Sequence, residues 1–461
     1  MAKYKIEKKI GKGGNGTVYK VKDSNGNFYA KKILNHTSSK KAYQRFKDEV
    51  KVLYGLNHRN GVVDIIDSNL PEINSKTNKA FYVMPLAISL RDYIKDKDDE
   101  VIIKIILDLC DTLEFLHSKD ITHRDIKPDN ILIINDKPVF SDFGLSNFPK
   151  KEKVSNPNEN IGPKWTIAPE MKRISSIAEF KKADIYSFSK TIWMILTKKW
   201  KSFDGQYIPN SNISLNNFIK IVINEMRLAD EWNYESIVLL ERLLVDSTNN
   251  EPAKRPSAKE FKEKLMYWYD TNLNFFERNP YEWEDALLKM FPISIPHSCS
   301  WSNTNEIYNI LKILFEHYDN LNYSFYPMRG GMSLTKIEID KENNCLIINE
   351  NGIIYPEQLI FESMNNLDWS YFRLELKEIK PLYPENVYKS EETLYIDNNG
   401  DCHQYNYDNF ELYSKFINGS FLIVKKTSFI NKLKGKYDGS NGLHSTRSNE
   451  EYKELLLEII E

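Results

Sequence analysis

The chain has 461 residues, of which 41% are hydrophobic and 13% aromatic, so it can form several globular domains and is not a disordered protein. Its 63 basic and 65 acidic residues give a formal charge of -2, which offers no overall field to attract nucleic acid or an anionic membrane. The four cysteines lie far apart, the first residues lack an apolar signal core, and no apolar run is long enough to span a membrane. We therefore expect a cytoplasmic protein with reduced thiols that binds neither nucleic acid nor membrane. The oligomeric state is left open.

The first predicted elements are two strands within residues 4–22, joined by a glycine-rich loop. This loop contains Gly11, Gly13 and Gly16, and glycines allow backbone N–H groups to approach phosphates because no Cβ intervenes. A glycine-rich hairpin turn has the same composition, so the loop alone does not identify a nucleotide site. The order strand, loop, strand nevertheless argues against a dinucleotide fingerprint, in which a helix follows the loop.

Residues 28–34 predict a third strand, which contains Lys31 and Lys32. The next segment predicts a helix that carries the neighbouring carboxylates Asp48 and Glu49. The apolar stripe of this helix consists of Tyr43, Phe46, Val50 and Leu53.

A turn-rich stretch at residues 68–80 predicts a long loop, and a strand at residues 81–84 follows it. The next predicted helix runs from about residue 101 to residue 117 and buries one apolar face. Residues 131–133 and 138–140 then predict a hairpin around an Asn-Asp turn.

Two short strings flank this hairpin and carry the strongest chemical signal. Residues 121–130 read Ile-Thr-His-Arg-Asp-Ile-Lys-Pro-Asp-Asn, and residues 141–144 read Ser-Asp-Phe-Gly. Phosphoryl transfer to a hydroxyl needs a carboxylate to accept the proton, a cation near the moving phosphate, and oxygen ligands for the metal ions. The two strings supply all of these groups, so they indicate phosphoryl transfer.

Through these strings, residues 1–270 resemble the eukaryotic-type, or Hanks-type, serine/threonine protein kinases, a superfamily that also occurs in bacteria. The resemblance implies an α+β, bilobal fold, with a small β-rich N-lobe at about residues 1–86 and a larger α-helical C-lobe at about residues 87–270. It also implies ATP and Mg²⁺ as cofactors, with Mn²⁺ as an alternative, and proteins as substrates.

The resemblance assigns roles residue by residue. Asp125 corresponds to the catalytic base, Lys127 to the cation at the γ-phosphate, and Lys32 to the phosphate-binding lysine that pairs with Glu49. The spacing from the glycine loop favours Lys32 over Lys31, and the buried helix stripe favours Glu49 over Asp48. The implied metal ligands are Asn130 and Asp142, the implied packing residues are His123 and Phe143, and the implied nucleotide-binding residues are Gly11, Gly13, Gly16, Val18, Ala30, Lys32, Met84, Ala87 and Leu132.

Two residues disagree about the hydroxyl that is phosphorylated. Counting back from Glu170, Pro163 stands where serine/threonine kinases usually carry a threonine, and proline there resembles tyrosine kinases. Lys127 resembles the serine/threonine class instead, and it would touch the transferring phosphate, so we favour serine/threonine specificity. Tyrosine or dual specificity stays open.

The segment after Asp142 also suggests regulation. Arg124 precedes the base, and in the family such an arginine often meets a phosphate on this segment. Between Gly144 and Gly162 the only hydroxyl side chains are Ser146 and Ser155, and we predict Ser155 as the regulatory site. By the same resemblance, Asp184 ties a buried helix to the catalytic-loop backbone, and Arg255 pairs with Glu170.

Residues 271–461 carry no catalytic string and predict a separate α+β domain that regulates the kinase or recruits its substrate. The predicted elements are a helix near 305–318, a hairpin at 336–348, strands at 371–379 and 394–396, and a terminal helix opened by a capping box at Ser448. Two isolated cysteine–histidine pairs, at His297 with Cys299 and at Cys402 with His403, are too sparse to indicate a metal site.

The sequence thus favours an active, autophosphorylating protein kinase. A non-catalytic scaffold would lack one of the chemical residues, and a small-molecule kinase would not need the Ala-Pro-Glu segment at residues 168–170. General signalling, a stress response and defence against phage would leave the same residues, so the pathway stays open.

Overall fold

The protein is described by a computed structural model in which the contacts divide the chain into two units, Met1–Leu228 with Leu239–Asp270, and Ala229–Val238 with Thr271–Glu461. Among the residues described, no helix is both long enough and apolar enough to cross a membrane. The described residues are 4–13, 16–35, 39–149, 165–172, 179–209, 211–215, 217–218, 237–272, 275–316, 322–326, 330–332, 336–348, 352–364, 369–381, 393–396, 402–405 and 420–425.

The first unit opens with an antiparallel sheet and one long helix. The strands are β1 (Lys5–Lys12), β2 (Gly16–Lys22), β3 (Phe28–Leu34), β4 (Asp67–Asn69) and β5 (Phe81–Pro85). Their order in the sheet is β1-β2-β3-β5-β4. Helix α1 (Lys40–Gly55) begins after Ser39, whose hydroxyl accepts a hydrogen bond from the Ala42 N–H at 3.1 Å, as an N-cap does. Its buried apolar stripe includes Phe46, Val50 and Leu53, as the sequence predicts.

The described residues between the sheet and residue 272 are mainly helical. The helices are α2 (Leu90–Tyr93), α3 (Asp99–Ser118), α4 (Pro169–Lys172), α5 (Phe180–Thr197), α6 (Val238–Ser247) and α7 (Ala258–Asn272). A small sheet has the order β6 (Ile88–Ser89), β7 (Ile131–Ile134) and β8 (Lys137–Phe140). Every residue of α5 from Ala183 to Ile195 is buried, so this helix forms the centre of the helical lobe. The predicted β-rich N-lobe and helical C-lobe are confirmed.

The second unit contains a large antiparallel sheet. Its strands are β9 (Ser298–Trp301), β10 (Asn322–Tyr326), β11 (Gly330–Met332), β12 (Ile337–Asp340), β13 (Cys345–Ile348), β14 (Gly352–Met364), β15 (Trp369–Pro381) and β18 (Ser420–Lys425), and its helices are α8 (Phe275–Met290) and α9 (Thr304–Glu316). The order is β11-β10-β18-β15-β14-β13-β12, and β9 pairs with β14. A separate pair consists of β16 (Thr393–Ile396) and β17 (Cys402–Tyr405).

One hydrophobic core joins this sheet to its two helices. Alternate residues of β14 and β15, such as Leu359 and Phe372, pack with Trp283 of α8 and Leu311 of α9. The predicted hairpin is confirmed by the pairing of Ile337 with Ile348, while the predicted helix after Ser448 lies outside the described residues. Within the described ranges, no three histidine, cysteine or acidic side chains are grouped to hold a metal ion.

Gly61 marks a close approach between the two lobes of the first unit. It has a φ of 88°, and its carbonyl accepts a hydrogen bond from the Phe140 N–H at 2.8 Å. A Cβ on Gly61 would lie 2.8 Å from the Cβ of Thr112 in α3, closer than real Cβ contacts. Glycine is therefore required both by the left-handed backbone and by the neighbouring helix.

We expect Gly61→Ala to lower the free energy of unfolding of the first unit by about 2–5 kcal/mol, because it combines left-handed strain with overpacking. Gly205→Ala is the matched control, since Gly205 has a φ of 69° but open space around its Cβ position. That control isolates the backbone contribution of about 1–2 kcal/mol. Thermal unfolding of both variants measures the difference, and equal losses would contradict the packing argument.

Candidate functional site

A buried lysine connects three segments of the first unit. The Lys32 ammonium on β3 lies 2.7 Å from Oε1 of Glu49 on α1 and 3.0 Å from Oδ1 of Asp142, which follows β8. The Tyr82 hydroxyl on β5 donates to the same Glu49 oxygen at 2.9 Å. The rival Lys31 points away, with its ammonium 3.5 Å from the centre of the Phe81 ring. The structure therefore brings together Lys32, Glu49 and Asp142.

The charges in this cluster reinforce one another. Burial alone would lower the pKa of Lys32, but the carboxylates of Asp142 and Glu49 hold this pKa well above its ordinary value. The Lys32 charge in turn lowers the pKa of Asp142. Burial raises the pKa of Glu49, while the hydrogen bonds from Lys32 and Tyr82 oppose that effect. The adjacent Lys32 ammonium favours the ionised form of this carboxylate. Lys32 and Asp142 therefore both stay charged at neutral pH.

The glycine loop approaches this lysine most closely at Gly16. A Cβ on Gly16 would lie 3.1 Å from Cγ of Lys32, so glycine leaves the room that the lysine side chain occupies. The Gly13 N–H donates to the Gly16 carbonyl at 2.9 Å and closes the described part of the loop. A Cβ on Gly11 would make only ordinary contacts with Val18.

The predicted nucleotide-binding side chains of the sheet fall on the same face as Lys32. Val18 is directly opposite Lys32, and Ala30 is directly opposite Met84. Residue pairs that are opposite in adjacent strands share a face, so these side chains line one surface. Ala87 follows β5 and leads into β6, where Ser89 pairs with Leu132 of β7.

The catalytic-loop residues form a second cluster. The amide nitrogen of Asn130 donates to Oδ2 of Asp125 at 2.8 Å and to the Asp125 carbonyl at 2.8 Å. The Lys127 ammonium lies 2.8 Å from the same Oδ2. Asp125 is thus held by two neighbours, and the Asn130 side-chain oxygen remains as an acceptor.

Ser141 and His123 connect the two clusters. The Asn130 carbonyl accepts from both the backbone N–H and the hydroxyl of Ser141, at 2.9 and 3.1 Å, and Asp142 is the next residue. Nε2 of His123 lies 3.0 Å from the Ser141 carbonyl, and its ring centre lies 4.6 Å from that of Phe143. Through the peptide link from Asp142 to Ser141, a continuous path therefore runs from Lys32 to Asn130 and Asp125.

Asp184 of α5 holds the backbone of the catalytic loop. Its two carboxylate oxygens accept from the N–H groups of His123 and Arg124, each at 2.7 Å. His117, which the sequence reasoning missed, adds a contact from Nε2 to the same carboxylate at 3.1 Å. Arg124 has a φ of 65°, a conformation that is costly for residues other than glycine, so the buried carboxylate fixes a strained turn beside Asp125.

The segment that leads into residues 168–170, which we call the docking segment, also touches this loop, although through a residue that the sequence reasoning did not select. The Thr166 hydroxyl donates to the Ile126 carbonyl at 2.8 Å, and the Thr166 carbonyl accepts from the Ser187 hydroxyl at 2.8 Å. Pro163 and Ser155 lie outside the described residues. The other candidate phosphosite, Ser146, is fully buried.

The predicted ion pair between Arg255 and Glu170 is confirmed. The guanidinium donates two parallel hydrogen bonds to the Glu170 carboxylate, at 2.6 and 2.9 Å, and a third from Nε to the Asn249 carbonyl at 2.7 Å. Arg255 is 1% exposed, so this bidentate pair is desolvated and fixes the end of the docking segment.

A family model described as a protein kinase domain matches residues 4–266 of this chain. A protein of Acanthamoeba polyphaga mimivirus, whose name describes a serine/threonine-protein kinase, is 31% identical over 48% of this chain and 80% of its own length. A serine/threonine-protein kinase of Clostridium acetobutylicum is 26% identical over 57% of this chain. The wall-associated receptor kinase-like 4 of Arabidopsis thaliana is 29% identical over 56% of this chain. The match covers 39% of the clostridial protein and 35% of the plant protein.

We expect Arg255→Met to lower the free energy of unfolding of the first unit by about 3–5 kcal/mol, because it leaves the Glu170 carboxylate, whose side chain is only 13% exposed, without its partner. Lys254→Met is the matched control, since Lys254 makes an exposed ion pair with Glu251 and such pairs contribute little. Thermal unfolding measures both variants. A similar small shift in each would contradict the assigned role of Arg255.

Proposed function

This chain belongs to the protein kinase family, and we propose that it transfers the γ-phosphate of ATP to serine and threonine hydroxyls of proteins. The observation that carries the proposal is the contact path from Lys32 to Asp125, which gathers a cation, two carboxylates and an amide around one site. These are the groups that phosphoryl transfer requires. The names of the similar mimiviral and clostridial proteins support the same hydroxyl class.

In this proposal Asp125 accepts the proton of the substrate hydroxyl. A placed general base contributes about 10²–10⁴ to the rate of such a step. Asn130 and Lys127 hold the carboxylate in position through its Oδ2 atom. Lys127 also brings a positive charge to the place where the transferring phosphate gains negative charge.

Lys32 binds and orients the triphosphate, and Glu49 prevents this long side chain from swinging. Asn130 and Asp142 are suited to hold Mg²⁺ or Mn²⁺. Asn130 has its amide nitrogen committed to Asp125, which leaves an oxygen, and Asp142 has a lowered pKa that keeps it ionised. The metal ions would neutralise charge on the triphosphate.

Serine/threonine specificity is supported by the position of Lys127 beside the base. A tyrosine or dual specificity remains the second candidate because of Pro163.

Regulation by a phosphate is part of the proposal. Arg124 packs its guanidinium 4.2 Å from the centre of the Phe180 ring at the start of α5, and its place before the base is where the family resemblance implies a phosphate-binding arginine. Because Ser146 is buried, Ser155 is the better candidate for modification. Residues 271–461 are proposed to regulate this kinase domain or to recruit its substrate.

We expect Asp125→Asn to reduce phosphate transfer by about 10²–10⁴, because the base acts in the chemical step, and to leave nucleotide affinity nearly unchanged. The matched control is Asp129→Asn, which alters an exposed carboxylate of the same loop that pairs with Arg91. Transfer from labelled ATP to a generic protein substrate and nucleotide binding are measured for all three proteins. A fully active Asp125→Asn variant would refute the assignment of the base.

We expect phosphoamino-acid analysis of the autophosphorylated chain to yield phosphoserine or phosphothreonine. The lysine beside the base and the hydroxyl class of the similar proteins both lead to this result. Phosphotyrosine as the main product would instead indicate tyrosine specificity, in agreement with the resemblance of Pro163 to tyrosine kinases.

A further inference from the structure

The charge of the chain is unevenly distributed. Residues 1–90 contain 17 lysine and arginine residues against 7 aspartate and glutamate residues, although the whole chain has a formal charge of -2. The near-neutral total therefore conceals a strongly basic N-lobe. A basic lobe of this kind creates a local field that attracts anionic partners.

Part of this charge is concentrated on the hairpin of β1 and β2. Lys5 is directly opposite Lys22, and Lys8 is directly opposite Lys20. We call these four residues the lysine ladder. Like charges that are directly opposite one another destabilise a strand pair. No ion pair joins the ladder to an acidic side chain in the part of the chain that the structure describes.

An aromatic ring holds two of these cations together. The ammonium groups of Lys20 and Lys22 lie 4.0 and 5.2 Å from the centre of the Phe28 ring, which is 43% exposed. Such contacts are attractive and offset part of the repulsion. The ring is thereby occupied by cations, which makes it a poor platform for stacking a nucleic-acid base.

The ladder lies beside an unpaired edge of the sheet. In the described five-stranded sheet β1 is an outer strand, and its residues Lys5 to Lys9 are all exposed. An exposed edge can accept a further strand through its backbone hydrogen-bonding groups. In an added strand, every second side chain would face the ladder at a spacing of about 7 Å.

The local carboxylates do not neutralise the ladder. Asp23, which follows β2, accepts the backbone N–H groups of Asn25 and Asn27, each at 2.8 Å, and so is committed to the turn. Glu7 lies where the register shifts between Ile6 and Lys8. An acidic partner would therefore meet lysines that no described carboxylate neutralises.

We propose that the lysine ladder and the free edge of β1 bind an acidic polypeptide segment in an extended conformation, with glutamate or aspartate at alternate positions. A polypeptide is favoured over nucleic acid or membrane because only a peptide backbone can continue the strand pairing of β1. Lys20 is directly opposite Ala30 and so shares a sheet face with the implied nucleotide-binding side chains. The test measures peptide binding alone, so the proposal does not depend on the proposed kinase activity. The competing explanation is that the lysines only protect the edge against aggregation.

The test measures binding by fluorescence anisotropy with the full chain. The probe is a labelled synthetic peptide in which glutamate alternates with valine. We expect it to bind at least about tenfold more tightly than a peptide with lysine in place of glutamate, and at least about tenfold more tightly than one with proline in place of valine. The binding of the glutamate peptide should also weaken as the salt concentration is raised. Equal binding of the proline peptide would overturn strand addition.

The decisive variant is Lys8→Gln combined with Lys20→Gln, for which we expect at least about tenfold weaker binding of the glutamate peptide. Its matched control, Lys95→Gln with Lys119→Gln, removes the same charge from exposed positions of the helical lobe and should bind as the unaltered chain does. A thermal melting curve verifies folding, and the single variant Lys8→Gln, at an exposed position, gives the same comparison if the double variant melts early.

Three outcomes would overturn the proposal. One is unchanged peptide affinity in a folded ladder variant. Another is tighter binding of oligothymidylate or of phosphatidylserine vesicles than of the glutamate peptide to the unaltered chain. The third is that the ladder variant self-associates and the unaltered chain binds no peptide. This result would mean that the lysines only protect the edge of β1 against aggregation.

Discussion

The ammonium of Lys32, buried between the carboxylates of Glu49 and Asp142, is the interaction on which the candidate site depends. Each of the three residues comes from a different segment, and Lys32 and Asp142 are 110 positions apart. A buried charge is tolerated only when it is paired, so displacement of any one segment leaves an uncompensated charge. The same contacts therefore align the β-sheet, the helix α1 and the segment after β8.

The catalytic loop is stabilised by a different means. Its conformation includes a left-handed residue, Arg124, and the carboxylate of Asp184 compensates for this by accepting two backbone N–H groups. Because α5 is buried along most of its length, Asp184 is a fixed reference point for the loop. Preorganisation of this kind places Asp125 before a substrate arrives, which is how a rigid lobe contributes to a chemical step.

The two units bury their apolar surface in different arrangements. The helical lobe surrounds one central helix, whereas the second unit covers one face of a broad antiparallel sheet with α8 and α9. In that sheet Leu359 and Phe361 of β14 and Phe372 and Leu374 of β15 are buried in the core. The sheet of the N-lobe differs from both, because its outer strand β1 is exposed and basic. This exposed edge is the place where we propose that a partner of opposite charge pairs.

The sequence by itself determined the family and the residue types of the site, because the strings at residues 121–130 and 141–144 are local and their chemistry requires those letters. The predicted ion pair of Arg255 with Glu170 could also be inferred, from the resemblance.

The spacing from the glycine loop already favours Lys32 over Lys31, and only the tertiary structure shows which partner each of the two lysines contacts. Strand alternation sends Lys31 to the Phe81 ring and Lys32 to Glu49. Thr166 and the lysine ladder were not inferred from the sequence, since their partners lie in other segments and become neighbours only through strand register and packing. Local strings specify chemistry, whereas contacts between distant segments decide which side chains meet.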